Sequence, residues 1–199
     1  MLRSQRPRHW CSRALGALLA LLACVTHAGE SPPREYLDEE TGATVTLESA
    51  PLVFAYQRRE LAANARDYVT LQAAAVNRAG KVSYVLISYV WSTVDPRVRE
   101  EPLVNPDQLL VHADDRRIPL SARGHSAHDA GIGMVVDAPS GSSGPPTVYA
   151  TDLATLRFIA ESRHLALAID TERSTLLYDL WEDRRADLAR FVRHLSGAD

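Results

Sequence analysis

YVTLQAAAV (residues 68–76) and VSYVLISYVW (residues 82–91) are the two longest strand-like runs of the chain. Both are rich in β-branched and aromatic residues. The five residues between them, Asn77-Arg78-Ala79-Gly80-Lys81, carry the glycine that a hairpin loop favours. The pair therefore reads as the central strands. Because successive side chains of a strand point to opposite faces, Val82, Tyr84, Leu86 and Val90 share one side and Val85, Ile87, Tyr89 and Trp91 the other. Apolar groups on both faces require cover on both, from a second sheet, a helix or a partner.

Outward from this hairpin the pattern stays β-rich. Residues 43–47 and 52–56 are short strand-like runs separated by Glu48-Ser49-Ala50-Pro51, and residues 108–112 and 117–120 form a smaller hairpin across Ala113-Asp114-Asp115-Arg116. Residues 148–150 read as a strand, after which Thr151 or Asp152 can cap a helix over 153–162. Residues 165–170 and 175–181 form a further hairpin around Thr171-Glu172-Arg173-Ser174. In residues 182–195, Leu188, Phe191, Val192 and Leu195 recur at i, i+3, i+4 and i+7, the period of an amphipathic helix. The expected architecture is α+β, a mostly antiparallel β-sheet or sandwich-like core with two helices of the C-terminal half packed on one face.

Two segments read as poor in structure. Residues 29–42, with Pro32, Pro33 and the acidic run Asp38-Glu39-Glu40, read as a tether, leaving residues 43–199 as a single globular domain. Residues 121–146, SARGHSAHDAGIGMVVDAPSGSSGPP, read as a flexible loop that adds little to the core, apart from an apolar island at 132–136.

The first residues read as an export leader. A basic flank with Arg3, Arg6, Arg8 and Arg13 precedes the apolar run ALGALLALLACV at residues 14–25, too short for a comfortable permanent span. Two cleavage sites compete. Thr26-His27-Ala28 offers the small side chains that suit a signal peptidase, giving a signal peptide of residues 1–28. Leu21-Leu22-Ala23-Cys24 resembles the lipobox of bacterial lipoproteins, which implies cleavage after residue 23, a lipid on Cys24 and, with no Asp at position 25, sorting to the outer membrane. Cys11 and Cys24 are the only cysteines, so the body of the chain can form no disulfide. Loss of the four leader arginines moves the net charge from −3 to −7, which argues against nucleic acid as a partner.

No catalytic or cofactor motif stands out. His125 and His128 with Asp129, and His112 upstream, have ligand chemistry that suits zinc, but neither a helical period nor a recognisable third spacing. No metal and no cofactor are assigned. Asp38-Glu39-Glu40 and Asp114-Asp115 lack the spacing of a calcium loop and read as solvated charge. Phe54, Tyr84, Tyr89 and Trp91 suggest either core or the lining of a ligand groove.

The stretch Tyr36-Leu-Asp-Glu-Glu-Thr-Gly-Ala-Thr-Val-Thr, together with residues 65–96, is similar to uncharacterised secreted or lipid-anchored proteins of Gram-negative bacteria. That resemblance implies an envelope address and carries over no functional residue. The expectation is an exported cell-envelope protein in the periplasm, a non-enzymatic binding or interaction module, with membrane contact only through Cys24. Its partner would be an envelope protein or a small ligand. The alternatives are an envelope hydrolase or metal-dependent enzyme built on the His125/His128 loop, and an assembly or chaperone-like accessory factor.

Overall fold

The computed structural model describes residues 31–99, 103, 105–133, 136 and 138–197, so the leader, Cys24 and both cleavage sites lie outside the described residues. Eleven strands are joined by antiparallel pairing: β1 (Arg34–Asp38), β2 (Ala43–Leu47), β3 (Leu52–Gln57), β4 (Arg66–Arg78), β5 (Lys81–Ser88), β6 (Val90–Ser92), β7 (Gln108–Ala113), β8 (Arg116–Gly124), β9 (Thr147–Thr151), β10 (Leu165–Asp170) and β11 (Thr175–Glu182). Two helices, α1 (Leu153–Glu161) and α2 (Arg185–Leu195), complete the set.

The hairpin at the centre is tighter than its sequence suggests. Arg78 faces Lys81 directly, and Ala79 and Gly80 both have positive φ, 51° and 84°, as a two-residue primed turn requires. Asn77 Oδ1 accepts from the Gly80 amide at 3.0 Å and fastens it.

Eight strands close into a barrel in the order β4-β3-β11-β10-β7-β8-β9-β5 and back to β4. Closure depends on strands that change partners along their length. Residues 66–71 of β4 pair with β3, while residues 72–78 pair with β5 on the other edge. In the same way residues 116–121 of β8 pair with β7, while Ala122 and Gly124, with a register shift between them, pair with β9. Such bulges bend a strand and raise its twist, which is how an open sheet turns a corner.

The interior is filled by one face of each strand. Phe54, Val69, Leu71, Ala73, Leu86, Val111, Tyr149 and Leu167 belong to a single buried cluster, and Leu156 and Ile159 of α1 with Leu188, Phe191 and Val192 of α2 belong to it too. α1 starts directly after β9, capped by Asp152, which accepts from the Thr155 amide at 2.8 Å. α2 follows β11, and the two helices close the barrel end where those strands run out.

The outer face of β4, β5 and β9 carries a second core. Ala74, Val76, Val85, Ile87, Tyr89 and Val148 form one buried cluster with Ala43, Val45 and Leu47 of β2, which pairs beside β4, and with Ala130, Ile132 and Val136. Both faces of the central hairpin are thus covered, one by the barrel interior and one by this outer layer. A fully buried aliphatic side chain contributes about 1.5–3 kcal/mol, so the outer layer is a substantial part of the stability.

Three expectations change. The sandwich-like core with helices on one face is replaced by the closed eight-stranded barrel, in which the helices cap an end. The reason lies in the long-range pairings β3–β11 and β5–β9, which leave no trace in local periodicity. The segment read as a tether contains β1, whose Asp38 is fully buried and accepts from the Gly133 amide, the Glu40 amide and the Thr41 hydroxyl. These bonds hold its carboxyl below the usual carboxylate range, the Gly133 amide most of all.

Residues 121–146 are likewise no bare loop. They continue β8, form a short 3-10 turn at Ala127–Ala130 with a Ser126–Asp129 capping box, and bury Ile132 completely. Gly124 is required beside that turn, because a Cβ there would lie 2.2 Å from the Asp129 side chain.

Candidate anion-binding cleft at the barrel mouth

The barrel end opposite the helices is where β3 hands over to β4 and β10 to β11. Residues 58–65, the Thr171–Ser174 turn and the segment after β6 meet there around a cleft of about 270 Å³. Arg58, Arg99 and Arg173 contribute cationic groups to its lining, Thr171 and Ser174 polar ones, and Leu61, Val98 and Leu176 apolar ones.

At its floor is Asp67, a fully buried carboxylate at the start of β4. It accepts from Arg58 Nε at 2.7 Å, from the Ser92 hydroxyl at 2.7 Å and from Arg99 Nη2. Arg99 also donates to Ser92 Oγ at 2.8 Å. A buried carboxylate is expensive unless its lone pairs are satisfied, and three donors satisfy this one. Two guanidinium groups nevertheless share one negative charge. Glu60 approaches Arg58 only at 3.7 Å from a position 58% exposed, where solvent screens it.

The imbalance marks the neighbouring groups. Burial, and then the Arg58 charge, lower the Arg99 pKa from its ordinary value. The Tyr178 phenol is pushed up to about 12 by burial, against the opposing pull of Arg58 and Arg99. Its ring packs against Tyr56 at 5.6 Å, and Arg58 lies 5.0 Å from the Tyr56 centroid. Among the described residues the buried floor holds two guanidinium groups to one carboxylate, with Glu60 also on the cleft's lining, and such a floor favours an anion in the space above it.

The histidines lie elsewhere. His125 bridges Asp107 Oδ1 at 3.2 Å and Thr147 Oγ1 at 3.3 Å, an acid-imidazole-hydroxyl sequence in outline. Thr147 is fully buried and Asp107 largely exposed, the reverse of what an accessible nucleophile and an oriented base require. His128 reaches Glu40 at 3.8 Å, and His112 sits on β7 with its Nε2 buried and unpartnered among the described residues. Among the described residues no three His, Cys, Asp or Glu side chains converge as a metal site. Asp114, read as solvated charge, accepts from the Arg163 and His164 amides at 2.9 Å.

The four aromatics do not share a groove. Phe54 fills the barrel, Tyr84 packs against the same core, and Tyr89 lies in the outer layer with its hydroxyl donating to Val136 O at 3.0 Å. Trp91 stacks on Tyr68 at 4.9 Å, and Trp181 meets Tyr68 edge-on at 6.0 Å beneath Arg66.

Sequence reasoning missed the arginine cleft because Arg58, Asp67, Arg99 and Arg173 come from four separate segments. A charged residue opening an otherwise β-rich run, as Asp67 does before Tyr68, was the one signal available. Compared with protein-family models, with curated proteins and with solved structures, the chain matches none.

Proposed function

We propose that this chain is an exported binding module of the cell envelope, non-enzymatic, that takes a small anion or the anionic group of a ligand at the arginine-floored mouth of its barrel. The observation that carries the reading is the sharing of one fully buried carboxylate, Asp67, by two guanidinium groups. Barrel mouths are common ligand sites because the rigid wall holds polar groups in place without ordering cost at the moment of binding. The leader supports the envelope address, and the acidic body suits a partner other than nucleic acid.

The test is calorimetric titration of the protein with sodium phosphate and sodium acetate at low ionic strength. One saturable site that weakens with added salt is expected. Arg99→Gln and, separately, Arg58→Gln should each weaken phosphate binding by roughly tenfold to a hundredfold, the worth of a charge-assisted hydrogen bond. Absence of saturable binding by phosphate, acetate and longer alkanoates alike, in protein whose circular dichroism shows it folded, refutes the reading.

A further inference from the structure

We propose that the ligand class of this cleft is an amphiphilic anion, a carboxylate carrying a short alkyl chain of about five or six carbons. The inference rests on the anion reading of the mouth and adds what the apolar part of the lining contributes. Three of the lining residues are apolar: Leu61, Val98 and Leu176. Leu61 and Val98 are 44% and 56% exposed, two of only six large hydrophobic residues so exposed among the described residues. Apolar side chains gathered at the rim of a cationic cleft lose free energy to water until something apolar covers them.

Two constraints narrow the occupant. A bare inorganic anion would satisfy the floor and leave Leu61 and Val98 wet, while a neutral alkane would cover them and leave the Arg58–Asp67–Arg99 charge uncompensated. Only a molecule with both ends matches both parts of the lining. Size sets the tail length: about 270 Å³ holds roughly nine groups of water size, which a carboxylate and a chain of five or six further carbons fill. The β10–β11 turn also lines the cleft, with Thr171 Oγ1 already accepting from the Arg173 and Ser174 amides and donating to Ser174 O. Its rigidity leaves head-group recognition to the arginines.

The experiment titrates the protein with acetate, butanoate, hexanoate, octanoate and decanoate, and with hexanol, below their critical micelle concentrations. Affinity should rise by up to about fourfold for each buried methylene, and by tenfold or more from acetate to hexanoate in this open-sided cleft. It should level off by octanoate, because further carbons leave the cleft. Hexanol should bind at least tenfold more weakly than hexanoate, since it lacks the charge for the floor. The double variant Leu61→Ser with Val98→Ser should flatten the chain-length series. If phosphate and acetate bind but hexanoate gains nothing over acetate, the amphiphile inference is overturned while the anion site stands. If neither phosphate, acetate nor any longer alkanoate binds folded protein, both readings fall together.

Discussion

Glu48 offers the sharpest stability test in the molecule. It leaves β2 with its side chain 2% exposed, and its Oε2 accepts from the Ala73 amide at 2.8 Å while its Oε1 has no partner among the described residues. Burial pushes its carboxyl well above the ordinary carboxylate range; the Ala73 amide offsets this only in part, and the charge of Asp187 adds to it. Facing it from α2 are Asp187, which accepts from the Ser49 hydroxyl at 3.0 Å, and Arg190, which is paired to Asp187.

A carboxyl raised on folding has a definite sign. Below its ordinary value it is protonated in both states and costs nothing. As pH rises toward the raised folded value, the unfolded chain ionises first, so stability is lost across that window and stays lost above it. Glu48→Gln keeps an acceptor for the Ala73 amide and offers Asp187 a donor, with nothing to ionise. At pH 8 the variant should be more stable by about 1–3 kcal/mol, the cost of a buried unsatisfied polar group. For a chain of this size that corresponds to a rise in Tm of roughly 3–10 °C. At pH 4 the gain should vanish. Thermal melts at pH 4, 6 and 8 decide it, and a variant less stable than wild type at pH 8 would show that an ionised Glu48 is paired.

Ile132→Ala should destabilise the protein by about 2–5 kcal/mol in urea unfolding, because a fully buried side chain is removed from the outer core; a change below about 0.5 kcal/mol would return residues 121–146 to the status of a loop. Asp67→Asn should cost about 3–5 kcal/mol, since it leaves Arg58 and Arg99 facing each other without a carboxylate. Added phosphate should restore part of that loss in a melt, and no recovery would count against an anion site. For the leader, Cys24→Ser in the full-length chain should move the protein from a salt-resistant membrane pellet to the soluble fraction or to an uncut precursor. Wild-type protein already soluble, with Gly29 as its first residue, would instead favour cleavage after Ala28.

Local elements were legible wherever period and turn chemistry agree. The alternation in residues 82–91 separated Tyr84, Leu86 and Val90 from Val85, Ile87 and Tyr89 correctly, although Val82 is exposed and Trp91 lies outside the outer core, and Leu188, Phe191 and Val192 marked the buried stripe of α2. Barrel closure was not legible, because it depends on which distant edges meet, and Ala55 carries no mark that it will face Asp179. Composition misled where glycine and serine were taken for absence of structure: Ile132 and Val136 are core despite their neighbours, held by a capping box whose residues look polar and loose. The cleft escaped for a related reason. Arginine and aspartate are ordinary surface residues, and only the fold makes Asp67 a buried hub.

The pairing of β3 with β11 also sets a timetable for a chain that emerges from its amino end. Leu52–Gln57 stays without one of its neighbours until residues 179–182 arrive, and the outer face of the central hairpin is incompletely covered until Ala130, Ile132, Val136 and β9 are present. Contacts of such long sequence separation form slowly, and exposed strand edges aggregate meanwhile. A partly emerged chain therefore has no folded half to fall back on. It must be held open until its last strand is through, and only then can the mouth with its arginines come into being.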